Sequence, residues 1–527
     1  MSNTTESRKP ATPLVNDVLT ELLSDLGASK PPVPPVAKPV AKPVAKPVAK
    51  APSAGTPSAP PQSQPRALAD VAKLAAQNSL AFAVIEAPAK PAASLPVLTQ
   101  SPANVASDFF PKVPRTLTDV GCSADEIGRT ILKLLAARGA NSGRKIAAHI
   151  RLLFPIVDEI LRGLRKEQFI TMKGEAVAGD FSYVATERGM SFAKEFSREC
   201  TYFGSTPVTL AQYVAVMKLQ SIADQKIRPH DLKRAFHDLQ LDDSIMRVLG
   251  PAVNSGRGMF LFGQPGNGKT SVAERIAKAF GDGIWVPRAI GIDGQIMRVF
   301  DPSIHIQVGK DDPQLMRLDP TDIDHRWVKV RRPTVVAGGE LTMDELEVRK
   351  DIHSGICEAP LQFKSNGGVL LIDDFGRQRM PVDELLNRWI IPLEKRYDLL
   401  NLPSGKKVEV PFDQLVIFST NLEPKDLVDD AFLRRIPYKI EIPNPTPKQF
   451  HFIFNVMCQK LKVPYDAKVV DYLIATHYVA KGREFRACHP RDLLNQIVNL
   501  CIYEDRPPTL TNESIDFAIG CYFSILS

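Results

Sequence analysis

The chain has 527 residues, 66 Lys and Arg against 59 Asp and Glu, and a formal net charge of +7. That length suggests about two to four domains, and a 44% apolar fraction is ample for a large core. The longest apolar run, Leu80 to Ile85, is far short of the ~20 residues a bilayer span needs, and the start MSNTTESRKP offers no apolar leader segment. Seven cysteines without a CxxC pair read as reduced thiols of a cytoplasmic protein, and the nine histidines show no metal-ligand spacing.

The basic excess is unevenly placed. Residues 1–27 carry −2, residues 28–66 carry +6, residues 123–199 carry +3, and residues 67–122 and 200–527 are neutral. Segment 28–66 holds twelve prolines and no acid, including the repeat AKPVAKPVAKPVAK, and is expected to be an extended polyproline-II-like tether. Before it, Val15, Leu19, Leu22, Leu23 and Leu26 share one helical face, and a weaker pattern runs from Leu68 to Ile85. Helices this short are marginal alone, so residues 1–114 are expected to form a disordered tail.

Between 115 and 200 the pattern changes. Ser123 and Glu126 form a capping box ahead of Ile127, Ile131, Leu134 and Leu135, and Gly139 closes that helix. Ser142 caps a second helix, and Phe154–Pro155 opens a third. The strand-like runs 169–172 and 181–185 flank a turn-rich KGEAVAGD, and a last helix starts near Glu187. This order resembles winged-helix domains. The third helix sets Asp158, Glu159 and Glu167 against Arg162, Arg165 and Lys166, and in the wing Glu175 and Asp180 oppose Lys173. Such balance favours protein docking, with DNA binding as the alternative.

The strongest signal follows the apolar run 259–262: Gly263, Gln264, Pro265, Gly266, Asn267, Gly268, Lys269 and Thr270 match GxxxxGK[ST], and Ser271 begins a helical continuation. A strand–loop–helix of this kind converges backbone N–H groups on phosphates, with Lys269 on the β/γ-phosphates of ATP and the Thr270 hydroxyl on Mg2+. Farther on, the apolar strand 369–372 ends in Asp373 and Asp374, where open α/β sheets place ligands. Asp373 is expected to hold Mg2+ partly through water, and Asp374 to polarise the attacking water.

These motifs, with VIFSTN (416–421), DDAFLRRIPYKIEI (429–442) and HPRDLLNQIVNL (489–500), resemble the AAA+ ATPase superfamily over roughly 205–527. The resemblance implies a parallel sheet flanked by helices (201–445) and a helical lid (446–527), after the winged-helix-like domain (115–200) and the tail (1–114). It also implies roles: Asn421 as the water-orienting sensor 1 residue, Arg435 or, second, Arg434 as the arginine finger of a hexameric ring, and Arg491 as sensor 2. Asp374 stands where a Glu is usual, a departure that can slow turnover. The segments RRP…GGEL, EAPLQFKSNGGVLLIDDFGR and NRWIIPLEKR are similar to the helix-2-insert group with its MoxR-like chaperones. Arg331 and Arg332 are expected to face nucleotide or a neighbour, or to pair with Asp322 or Asp324. Three functions follow: an ATP-driven, chaperone-like remodeller of a protein client held by residues 1–200, a DNA-bound regulatory or replication-type ATPase, and a slow nucleotide-gated scaffold. Kinase and GTPase readings give the sensor and finger elements no task and lack a guanine-reading motif.

Overall fold

The computed structural model describes residues 109–524, apart from 176–179, 240, 282 and 310–311. The tether and both tail segments lie outside the described residues. Among the described residues no helix is long and apolar enough to cross a membrane.

The N-terminal module is built by local capping. Ser123 accepts from Glu126 N while Glu126 accepts from Ser123 N at 2.8 Å, starting helix Ala124–Arg138. Helices Gly143–Ile150 and Phe154–Lys166 follow, and strands Ile170–Glu175 and Phe181–Ala185 pair antiparallel. Strand Asn141–Ser142 extends this sheet, and helix Glu187–Glu199 closes the module over a core that includes Ile131, Ile146, Val157 and Leu161. Asp180 corrects one expectation. It is buried and accepts from the Gly143 and Arg144 N–H groups at 3.0 Å, capping a helix rather than opposing Lys173 in the wing.

The main sheet contains five parallel strands in the order Thr334–Ala337, Val369–Ile372, Leu415–Thr420, Met259–Phe262, Tyr438–Glu441. Alternate residues face opposite layers: Met259, Leu261, Leu371 and Ile417 pack under the helices on one side, Phe260, Leu370, Ile372 and Phe418 on the other. With both faces covered, these strands read as unbroken apolar runs.

Between helix Lys269–Ala279 and strand Thr334–Ala337 the chain builds a second sheet. The expected hairpin at 284–300 divides its labour: Ala289–Ile292 and Gln295–Arg298 pair with each other, whereas Ile284–Pro287 pairs with Trp327–Val330. Two-residue strands at Val208–Thr209, Cys357–Glu358 and Arg349–Lys350 complete the inserted sheet. No loose linker separates it from the N-terminal module. Arg326, 2% exposed, forks onto Asp324 at 2.9–3.1 Å and donates to the carbonyls of Val120 and Pro207. Residues 109–113, expected to belong to the tail, run along the same insert: Val113 N donates to Asp322 O, Asp324 N to Pro111 O, and the Trp285 indole to Phe109 O. Their register with Asp322–Asp324 is what fixes them there.

Residues 446–523 form helices Pro447–Leu461, Ala467–Leu473, His489–Tyr503 and Asn512–Phe523 around Phe450, Phe454, Tyr478, Leu494 and Ile519.

Candidate nucleotide site

Strand register assembles the site. Phe262 pairs with Thr420 and Ile372 with Phe418, so Gly263, Asn421 and Asp373 all leave the sheet at its C-terminal edge. The loop 263–268 then turns tightly at three glycines with positive φ, Gly263 (134°), Gly266 (83°) and Gly268 (83°). A Cβ at Gly263 would stand 2.5 Å from Ile442 O, and one at Gly266 would stand 2.5 Å from Cys488 Sγ. Only glycine meets both the torsion and the close approach.

Helix Lys269–Ala279 starts directly after the loop, leaving its first N–H groups aimed at the cavity. Lys269 Nζ donates to Gly263 O at 3.0 Å, Gln264 O at 3.2 Å and Asn421 Oδ1 at 2.7 Å. Burial holds its pKa below the usual lysine value, opposed by the nearby charges of Asp373 and Asp374. Asn421 Nδ2 in turn donates to Asp374 Oδ1 at 3.1 Å, so one amide links the lysine to the second carboxylate. Thr270 Oγ1 donates to Asp373 Oδ2 at 2.9 Å. Asp374 adopts φ 49°, a left-handed conformation that Asp and Asn take more readily than most residues, which gives a backbone reason for the shorter acid.

These groups line a cavity of about 620 Å3. Its polar end holds Asn267–Ser271, Asp373, Asp374, Arg377, Asn421 and Arg491; the segment at 238–239 and helix Pro447–Leu461 add a wall of Leu239, Phe452, Ile453, Val456 and Met457, with Asp238 and Lys460 beside them. Sequence reasoning missed that wall and Arg377. One signal was present: helix Pro447–Leu461 is apolar beyond the Phe450, Phe454 and Cys458 stripe that fills its own core. Arg275 forks onto Asp238 at 2.6–2.8 Å and holds its carboxyl at about 2, fixing the segment that carries Leu239.

Segments leading into the C-terminal helices meet the loop directly. Asn267 Nδ2 donates to Asn444 Oδ1 at 2.8 Å, and Arg486 Nη1 to Pro265 O at 3.0 Å. Arg491 lines the cavity with an exposed side chain whose Nε donates to Asp492 at 2.9 Å. Arg435 and Arg434 do not line it. Arg435 Nε donates to Glu394 Oε1 at 2.8 Å, whereas Arg434, at the end of helix Asp430–Leu433, is exposed. Arg332 does not line this cavity: it is buried and donates to the Gly367 carbonyl at 2.6 Å. Asp324 is taken by Arg326 and Asp322 faces Arg115, so the expected pairing with Arg331 or Arg332 is corrected. The Gly367 carbonyl, just before strand Val369–Ile372, is an acceptor that Arg332 uses in place of Asp322 or Asp324.

Beside this contact His489 is buried, with Tyr478 Oη 2.8 Å from Nδ1, and burial pushes its pKa down to about 4. The unfolded chain takes up that proton near 6.5. The associated stability is therefore present above pH 6.5 and is lost as pH falls toward 4. Urea midpoints measured at pH 7 and pH 4.5 are expected to drop less in His489→Gln than in the wild type. Equal drops would count against this titration.

Comparisons with known proteins fit this layout only in pieces. Residues 446–521 match a family profile described as "Domain of unknown function (DUF8689)". The uncharacterized protein ORF529 of Acidianus two-tailed virus is 21% identical over 295 residues, 55% of this chain and 45% of that protein. The chain thus aligns with less than half the length of this relative. Among solved structures, NtrX from Brucella abortus is similar at 14% identity over 55% of this chain and 58% of that one, with a TM-score of 0.34. RuvB of Thermotoga maritima, described as a Holliday junction branch migration motor, is similar at 16% identity over 58% and 73%, with a TM-score of 0.30.

Proposed function

We propose that the chain is an Mg-ATP-hydrolysing ATPase of the AAA+ type, whose N-terminal region recruits a protein client for chaperone-like remodelling. The observation that carries the reading is one cavity with a phosphate-loop lysine, a hydroxyl–carboxylate pair and an Asn–Asp pair at one end and an apolar cleft at the other. The polar end suits a triphosphate and the cleft a planar base. Thr270 Oγ1 and Asp373 Oδ2, 2.9 Å apart, are hard oxygen donors of the kind Mg2+ accepts beside water. The bound ion would neutralise charge on the β- and γ-phosphates. Lys269 binds the same phosphates, Asn421 orients water, Asp374 accepts its proton, and Arg491 reaches over from the helical lid. Exposed Arg434, rather than Arg435 held by Glu394, is the better finger toward a neighbour in a ring.

The helix–strand–helix–helix–strand–strand–helix order of residues 124–199 supports the winged-helix reading. Its seam with the insert means that a test of client recruitment should remove residues 1–108 and leave 109–200 in place. Asp374→Asn is expected to keep ATP affinity within a few-fold while lowering turnover roughly 10²-fold or more, the scale of removing a positioned proton acceptor. Wild-type turnover no faster than that of Asp374→Asn would favour the gated scaffold instead. The buried placement of Asp180 removes one acidic charge from the wing and gives the DNA reading its support. Neutralising Arg144, Lys145 and Arg151 should then flatten the salt dependence of duplex binding.

A further inference from the structure

A second cavity, of about 560 Å3, lies where the N-terminal module meets the inserted sheet. Helix Ala124–Arg138 and the end of helix Glu187–Glu199 form one wall, and the tip of hairpin 289–298 forms the other. Two buried polar side chains on its lining have unmet capacity. Thr206, 2% exposed, has a hydroxyl without any hydrogen-bond partner. Lys133, 6% exposed, donates from Nζ to the Cys200 carbonyl at 2.9 Å, and among the described residues no carboxylate lies within ion-pair distance of it. An ammonium has three donors, and a buried hydroxyl left unpaired is destabilising. Arg198 and Lys350 also line the cavity without an ion pair among the described residues, against Glu199. Asp293 is paired with Lys406 and Arg129 with Asp125, whereas Glu126, bonded to its helix cap, keeps its charge. Lys133, Arg198 and Lys350 then stand against Glu126 and Glu199, and the lining is cationic by one charge. Burial depresses the pKa of Lys133, opposed by the nearby Cys200 and Glu199.

We propose that this cavity binds a small organic anion, with Lys133 on its carboxylate or phosphate oxygens and the Thr206 hydroxyl completing the contact. Because its walls come from the module and the insert, the ligand would bridge them and regulate how firmly the module is held. The inference does not depend on the ATPase reading.

Citrate and glucose 6-phosphate serve as carboxylate and phosphate probes in calorimetric titrations of the full chain. Titrations in a Lys269→Ala background keep the phosphate loop from supplying the signal. At least one probe is expected to bind, and which one binds identifies the anion. Lys133→Met should weaken it about 10–100-fold, as loss of a charged hydrogen bond does, and Thr206→Val about 3–10-fold. Both replacements nearly conserve volume. If Lys133→Met does not fold, as judged by circular dichroism, Thr206→Val decides. Failure of both probes to bind, or binding that neither replacement weakens, overturns the proposal.

Discussion

Lys269→Ala is expected to lower ATP turnover roughly 10²–10³-fold or more, the scale of removing a preorganised electrostatic contact from a reacting centre. The effect is large because one ammonium has three tasks. On the proposed reading it neutralises phosphate; in the structure it bonds the carbonyls of Gly263 and Gln264, and it fixes Asn421, which holds Asp374. Alanine loses all three. Arginine should fail nearly as badly, because a planar fork cannot replace a compact charge among three converging oxygens. Phosphate release at saturating ATP measures this, beside a melting curve to show that the fold survives. Wild-type turnover in Lys269→Ala would remove the chemistry from this cavity.

The second large effect concerns stability. Arg326→Met is expected to cost about 3–5 kcal/mol, the usual penalty for breaking a buried ion pair by removing one partner. Asp324 would keep its charge at 2% exposure, and the carbonyls of Val120 and Pro207 would lose their shared donor. The double replacement Arg326→Met with Asp324→Leu should recover much of the loss, because two apolar groups need no counter-charge. Urea unfolding compares the three proteins, and limited proteolysis between residues 113 and 123 locates the damage. An unchanged midpoint in the single variant would mean that the seam contributes little.

Motifs contiguous in sequence were the legible part of this molecule. The loop 263–270, the strand ending in Asp373 and the strand ending in Asn421 each carry their apolar run and their polar end together. Register then needs only the sheet to align them. Helices 124–138 and 143–150 were legible for a similar reason, since Ser123, Glu126, Gly139 and Ser142 mark their ends locally. What stayed hidden depends on distant pairing. Strands of two residues, such as Val208–Thr209 and Cys357–Glu358, have no periodicity to read. Leu239 and Phe452 face one cavity from segments more than 200 residues apart. Arg332 was placed beside the nearest acids in sequence, but its partners are set by how strand Val369–Ile372 begins.

The straps between Asn267 and Asn444 and between Pro265 and Arg486 give the phosphate loop a mechanical role. The crown of the loop is pinned by these two bonds to the chain entering helix Pro447–Leu461 and to the chain entering helix His489–Tyr503. On the proposed nucleotide reading, these two bonds are where occupancy of the six-residue turn would be felt by the chain beyond residue 446.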